Sequence, residues 1–171
     1  MSFTRRFSLV LLVVCSLSAA TITAADHMVP LKGGWVGQTL SDDASLFPLV
    51  QIIAAGGGQL SHLGRMTMVS PHITDVSNGH TYGDQIFTAA NGDRLSAFCD
   101  GNPTVFDNGA RVVGTLACNI TGGTGRFAGA TGSYDFNLTA TLIPEFLPAI
   151  RYHTVAPISG SMSSVGSSKK D

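Results

Sequence analysis

Glycine-rich breaks alternate with strand-length apolar runs along this chain, and that alternation restricts it to β architecture. All 20 glycines fall after residue 25, where the usual frequency is only ~7%. They gather at punctuation points such as Gly33-Gly34, Gly56-Gly57-Gly58, Gly92, Gly101, Gly109 and Gly122-Gly123. Between them run short segments rich in Val, Ile, Thr, Phe and Ala. Such spacing belongs to a β-sandwich or barrel joined by short loops. No segment after the leader keeps a helical period, and there is no internal repeat.

Strands are expected at 35–40, 49–54, 60–74, 86–90, 93–98, 111–121, 133–142 and 152–163, about eight in all. The clearest is 133–142. There Tyr134, Phe136, Leu138, Ala140 and Leu142 alternate with Ser133, Asp135, Asn137, Thr139 and Thr141, which puts one set on each face. In 111–121 the set Val112, Gly114, Leu116, Cys118 and Ile120 shares a face. The long 60–74 run reads as a single strand that bends or bulges at Gly64. Asn91-Gly92 between two β runs predicts a type I′ hairpin turn.

The N-terminus has the order of an export signal: Arg5 and Arg6, an apolar run over 7–17, then small residues ending at Thr23-Ala24-Ala25. We read 1–25 as a signal peptide. Its apolar run is too short to span a bilayer, which takes ~20 residues. No later apolar stretch is long enough, so no stable membrane insertion is expected after cleavage. Location is therefore secreted or periplasmic. The end of the chain, 163–171, is polar and reads as a disordered tail.

Charged residues make up 12% of the chain, against ~25% in ordinary domains. Loss of Arg5 and Arg6 with the leader does not explain this deficit. Ten basic and eleven acidic residues give a net charge of −1, so no basic field points to nucleic acid. Cys99 and Cys118 remain after cleavage. An oxidising compartment permits a disulfide between them, and that is the expectation. Two buried thiols are the alternative.

The stretch from Asn119 to Gly132 contains Gly122-Gly123-Thr124-Gly125-Arg126-Phe127-Ala128-Gly129-Ala130-Thr131-Gly132. It reads as a strand, a glycine turn, one helical turn and a second strand, with Phe127 able to plug a barrel end. It lacks the Lys and long helix of a phosphate-binding loop and the βαβ unit of a dinucleotide site. It resembles the GGTGRFxGAxG signature of the allene oxide cyclase-like and dirigent-like β-barrel families. Ser61-His62-Leu63-Gly64 and the turn from Ala90 to Asp93 resemble segments of small exported bacterial members. The likeness runs over about 33–161, the bulk of the chain after the leader. It implies an eight-stranded antiparallel β-barrel with an apolar interior, here over 26–162. Plant members include an isomerase that closes an oxidised fatty-acid epoxide, and dirigent proteins that steer phenoxy-radical coupling. No local sequence here matches either active site, and fold likeness alone does not assign function.

An eight-stranded barrel holds either a packed core or one small ligand. The expected lining is Trp35, His62, Met66, Leu116, Tyr134, Phe136 and Leu138, with His62 placed inside the long apolar strand. The five histidines lack the spacing of a compact metal motif, so neither a metal nor a cofactor is expected. The carboxylates sit mostly in turns, where they cap the backbone. The leading expectation is an exported barrel that binds a small hydrophobic ligand without catalysis. One alternative is an isomerase, cyclase or dirigent-type enzyme acting on an oxidised lipid or a phenolic. The other is a structural or interaction protein with a solid barrel. A homo-oligomer is compatible with any of them.

Overall fold

Period-two alternation governs the fold from end to end. The computed structural model describes residues 27–146 and 151–163. The predicted leader and the tail beyond Ser163 lie outside the described residues. Nine strands follow in order: β1 Met28–Leu46, β2 Leu49–Leu60, β3 Gly64–Asp75, β4 His80–Ala89, β5 Arg94–Gly101, β6 Thr104–Phe106, β7 Arg111–Gly123, β8 Gly132–Leu142 and β9 Tyr152–Ser163. Eight of them close into an antiparallel barrel. Neighbours in sequence pair except β5 and β6, β9 returns to β1, and β5 pairs with β7. The three-residue β6 takes over the edge of β7 at Arg111 to Val113, above the point where β5 ends. Ser163 ends β9, as the strand expected at 152–163 has it, and its N–H donates to Thr131 O at 2.8 Å.

The strand β8 carries the alternation as expected: Tyr134, Phe136 and Ala140 are buried, while Ser133, Asp135, Asn137, Thr139 and Thr141 are not. On β7 the buried set is Leu116, Cys118 and Ile120. Cys99 and Cys118 are direct partners across β5 and β7 and form a disulfide. It closes a sequence separation of 19, which in the chain-entropy model stabilises by about 3 kcal/mol. Such a bond is supported by an oxidising compartment.

The 60–74 run corrects the sequence expectation. It is not one bent strand. The chain reverses at Ser61-His62-Leu63, ending β2 at Leu60 and starting β3 at Gly64. His62 takes the left-handed conformation, φ +67°, which lets Leu63 drop into the core at 3% exposure. The turn is stitched to β1: Ser61 N–H donates to Lys32 O at 2.8 Å, Lys32 N–H to Ser61 Oγ at 2.9 Å, and Ser61 Oγ to Pro30 O at 2.9 Å.

The Asn91-Gly92 hairpin forms where expected, but its turn differs. Gly92 has φ +88°, whereas Asn91 does not enter the left-handed region. Gly92 N–H donates to Ala89 O, and Ala89 N–H to Asp93 O, both at 2.9 Å. That is a three-residue loop with a left-handed glycine last, not a type I′ turn.

The glycine corner seals one end of the barrel. Residues Gly125–Phe127 form a single 3-10 turn, and Phe127 is wholly buried beside Leu31, Leu60, Leu63 and Met162. Asp93 holds this corner from the neighbouring hairpin. Its carboxylate accepts Arg126 N–H at 3.3 Å and lies 3.6 Å from the guanidinium. Gly125 has φ +57°, and a Cβ there would overlap the Asp93 carboxylate. The glycine therefore serves close approach, with no phosphate needed to explain it.

Candidate ligand-binding cavity

Inward positions change character along the barrel axis. Towards the corner they are Leu, Phe and Met. Towards the opposite end they become Ala54, Ser70, Thr74, Thr81, Gly83, Ala140 and Thr154. These short side chains cannot meet across an eight-stranded ring. They leave a cavity of about 380 Å3, within the range of small-molecule sites. Val76 and Val105, each about half exposed, stand at its rim with Pro103 and Gly109.

The walls are mainly apolar, built by Trp35, Ala54, Met68, Leu116, Phe136 and Leu138. Trp35 and Phe136 are tilted against each other with ring centroids 5.9 Å apart. The indole lies over Gly37, where a Cβ would overlap the ring. Its Nε1–H is buried without a hydrogen-bond partner among the described residues. Leaving such a donor unmet costs ~1–3 kcal/mol.

A few polar groups break this wall. His72 Nδ1–H donates to Ser70 O at 3.0 Å. That bond fixes the neutral tautomer and leaves Nε2 as an acceptor. Burial pushes the imidazole below its ordinary pKa, although the bond to Ser70 opposes the shift. Gln85 is almost fully buried, and its Oε1 accepts the Tyr134 hydroxyl at 2.9 Å. Burial also pushes the Tyr134 phenol upward, so it remains a donor. The amide nitrogen of Gln85 is then left for other acceptors. Thr74 and Thr81 share a hydroxyl–hydroxyl bond at 3.0 Å. Asp42 is the charged residue among the described lining, and Arg151 pairs with it.

Of the residues expected to line the barrel, Trp35, Leu116, Phe136 and Leu138 border the cavity. Tyr134 is buried next to Gln85, a lining residue, and meets Phe87 edge-on at 6.0 Å. Met66 is buried two residues closer to the sealed end than Met68. His62 does not face the interior. It is exposed on the β2–β3 turn, where its Nε2 lies 3.1 Å from Pro30 O. Reading 60–74 as one strand misplaced it. Sequence reasoning missed Met68, Ser70, His72 and Thr74. They share the period-two phase of Met66, which was expected to line the barrel, so carrying that alternation past Met66 would have found them.

No group of three or more His, Cys, Asp or Glu able to hold a metal occurs among the described residues. No helix among them is long and apolar enough to cross a membrane. Comparison with protein-family models, curated proteins and solved structures found no match, so the site must be read from its own chemistry.

Proposed function

We propose that this chain is an exported, secreted or periplasmic barrel that binds a small apolar ligand in its cavity without chemical conversion. One observation carries the reading: a mainly apolar cavity of about 380 Å3 at one end of an otherwise packed barrel. The Cys99–Cys118 disulfide supports the oxidising compartment. The outer face mixes Gln38, Gln51, Thr67 and Asp84 with exposed Val36, Ile53, Val69 and Val155. The glycine corner around Phe127 supports placing the chain with the allene oxide cyclase-like and dirigent-like barrels. The solid-barrel alternative is disfavoured by the cavity. The test is titration of the purified mature protein with apolar dyes and fatty acids. Micromolar binding of at least one supports the reading; failure of all of them overturns it.

A second reading rests on His72. Held by Ser70 and carrying a free Nε2, it has the arrangement of a general base. An isomerase-type enzyme acting on an oxidised lipid or phenolic would use it so. In that case His72→Leu abolishes turnover while leaving ligand binding in place.

A further inference from the structure

The polar groups of the cavity are selective in what they can accept. His72 Nε2 offers a lone pair and no proton, because Nδ1–H is committed to Ser70 O. Gln85 offers N–H groups, because its Oε1 is committed to Tyr134. The two lie on paired strands: His72 is opposite Gly83, and Gln85 is two positions further along β4. They are therefore diagonal neighbours facing one interior, and Gly83 between them has no side chain to separate them. One acceptor beside one donor is the complement of a hydroxyl, which both donates and accepts. A carboxylate fits poorly. It cannot donate to His72.

We propose that the cavity selects uncharged amphiphiles, with a hydroxyl held between His72 Nε2 and the Gln85 amide and an aliphatic or aromatic body against Trp35, Leu116 and Phe136. This rests on the cavity-binding reading above and adds the chemical class of ligand. His72 and Gln85 become the specificity-determining residues.

Three probes of matched size separate the terms: octanol, its isosteric ether methyl heptyl ether, and octanoate. Trp35 is the single tryptophan of the chain and lines the cavity, so its emission reports binding. The expected result is that octanol binds on the order of tenfold more tightly than the ether, the scale of a buried hydrogen bond. Octanoate should bind more weakly than octanol. His72→Leu should bring octanol and ether to equal affinity while leaving the ether unchanged, and His72→Gln should restore part of the preference. Gln85→Met, checked for an intact fold by circular dichroism, should weaken octanol and ether alike, because both oxygens accept the amide N–H, and leave the preference set by His72 in place. Equal binding of octanol and ether by the wild type, or tightest binding of octanoate, overturns hydroxyl selection and leaves the apolar-cavity reading standing. Failure of all three probes and of the apolar dyes overturns both.

Discussion

The two ends of this barrel are made by the same strands with the same period, yet one is solid and the other hollow. At the sealed end Leu31, Leu60, Leu63, Phe127 and Met162 are each at most 3% exposed. At the rim end Ala54, Ser70, Thr81, Gly83 and Ala140 take equivalent inward positions. Backbone architecture is therefore not what decides between core and cavity; side-chain volume around the ring is. The ends also differ in their bracing. The sealed end has the Ser61 turn tied to β1 and the Phe127 corner tied to Asp93. At the rim, Tyr152 Oη donates to Gly109 O at 2.6 Å, and Asp42 pairs with Arg151.

The sharpest way to break the comparison is to hollow the solid end. Phe127→Ala should cost ~3–5 kcal/mol, because a closely packed site leaves a cavity behind. Leu138→Ala, on a half-buried chain that already borders empty space, should cost only ~1 kcal/mol. Urea unfolding of both variants measures the contrast, and equal losses would dissolve it. Replacing Cys99 and Cys118 by alanine comes next, at about 3 kcal/mol, read as a lowered midpoint with the barrel still formed. This staple lies between the two ends, so it should weaken both together.

The smallest expected effect is in pH. In the folded chain His72 titrates below its ordinary 6.5 because burial disfavours the imidazolium. As pH falls, the unfolded chain takes up this proton first. The His72 contribution is therefore fully present above about pH 6.5, declines as pH falls towards the lowered folded value, and is constant below it. The stability difference between wild type and His72→Leu should change only within that window. A pH-independent difference would contradict the burial of this ring.

Much of the fold was legible because period two is a local signal. The strand β8 could be read residue by residue, and Cys99 with Cys118 followed from strand placement and cysteine parity. The β2–β3 reversal was not legible. Apolar residues on both sides of Ser61-His62-Leu63 make the run look continuous, and the reversal depends on a left-handed His62, a conformation His adopts more often than most residues but too rarely to mark a turn. The unread reversal misplaced His62; His72 shares the phase of Met66 and was missed because the alternation was not followed that far along β3. The extent of β1 was also underread, because Gly33-Gly34 and Asp42-Asp43 look like breaks yet lie within one strand. The three-residue β6 is too short to leave a pattern. The cavity itself was beyond sequence reasoning: it is a sum of small side chains at Ala54, Ser70, Gly83 and Ala140, which lie far apart in sequence and meet only when the ring closes.

The most direct test of the hollow end is a Trp35 emission titration with an apolar dye, comparing wild type with Ala54→Phe. Ala54 faces the cavity, and phenylalanine there fills it. The account predicts saturable binding by the wild type and its loss in Ala54→Phe, with the circular dichroism spectrum unchanged. Equal dye affinity in both proteins would place binding outside the barrel and contradict the account.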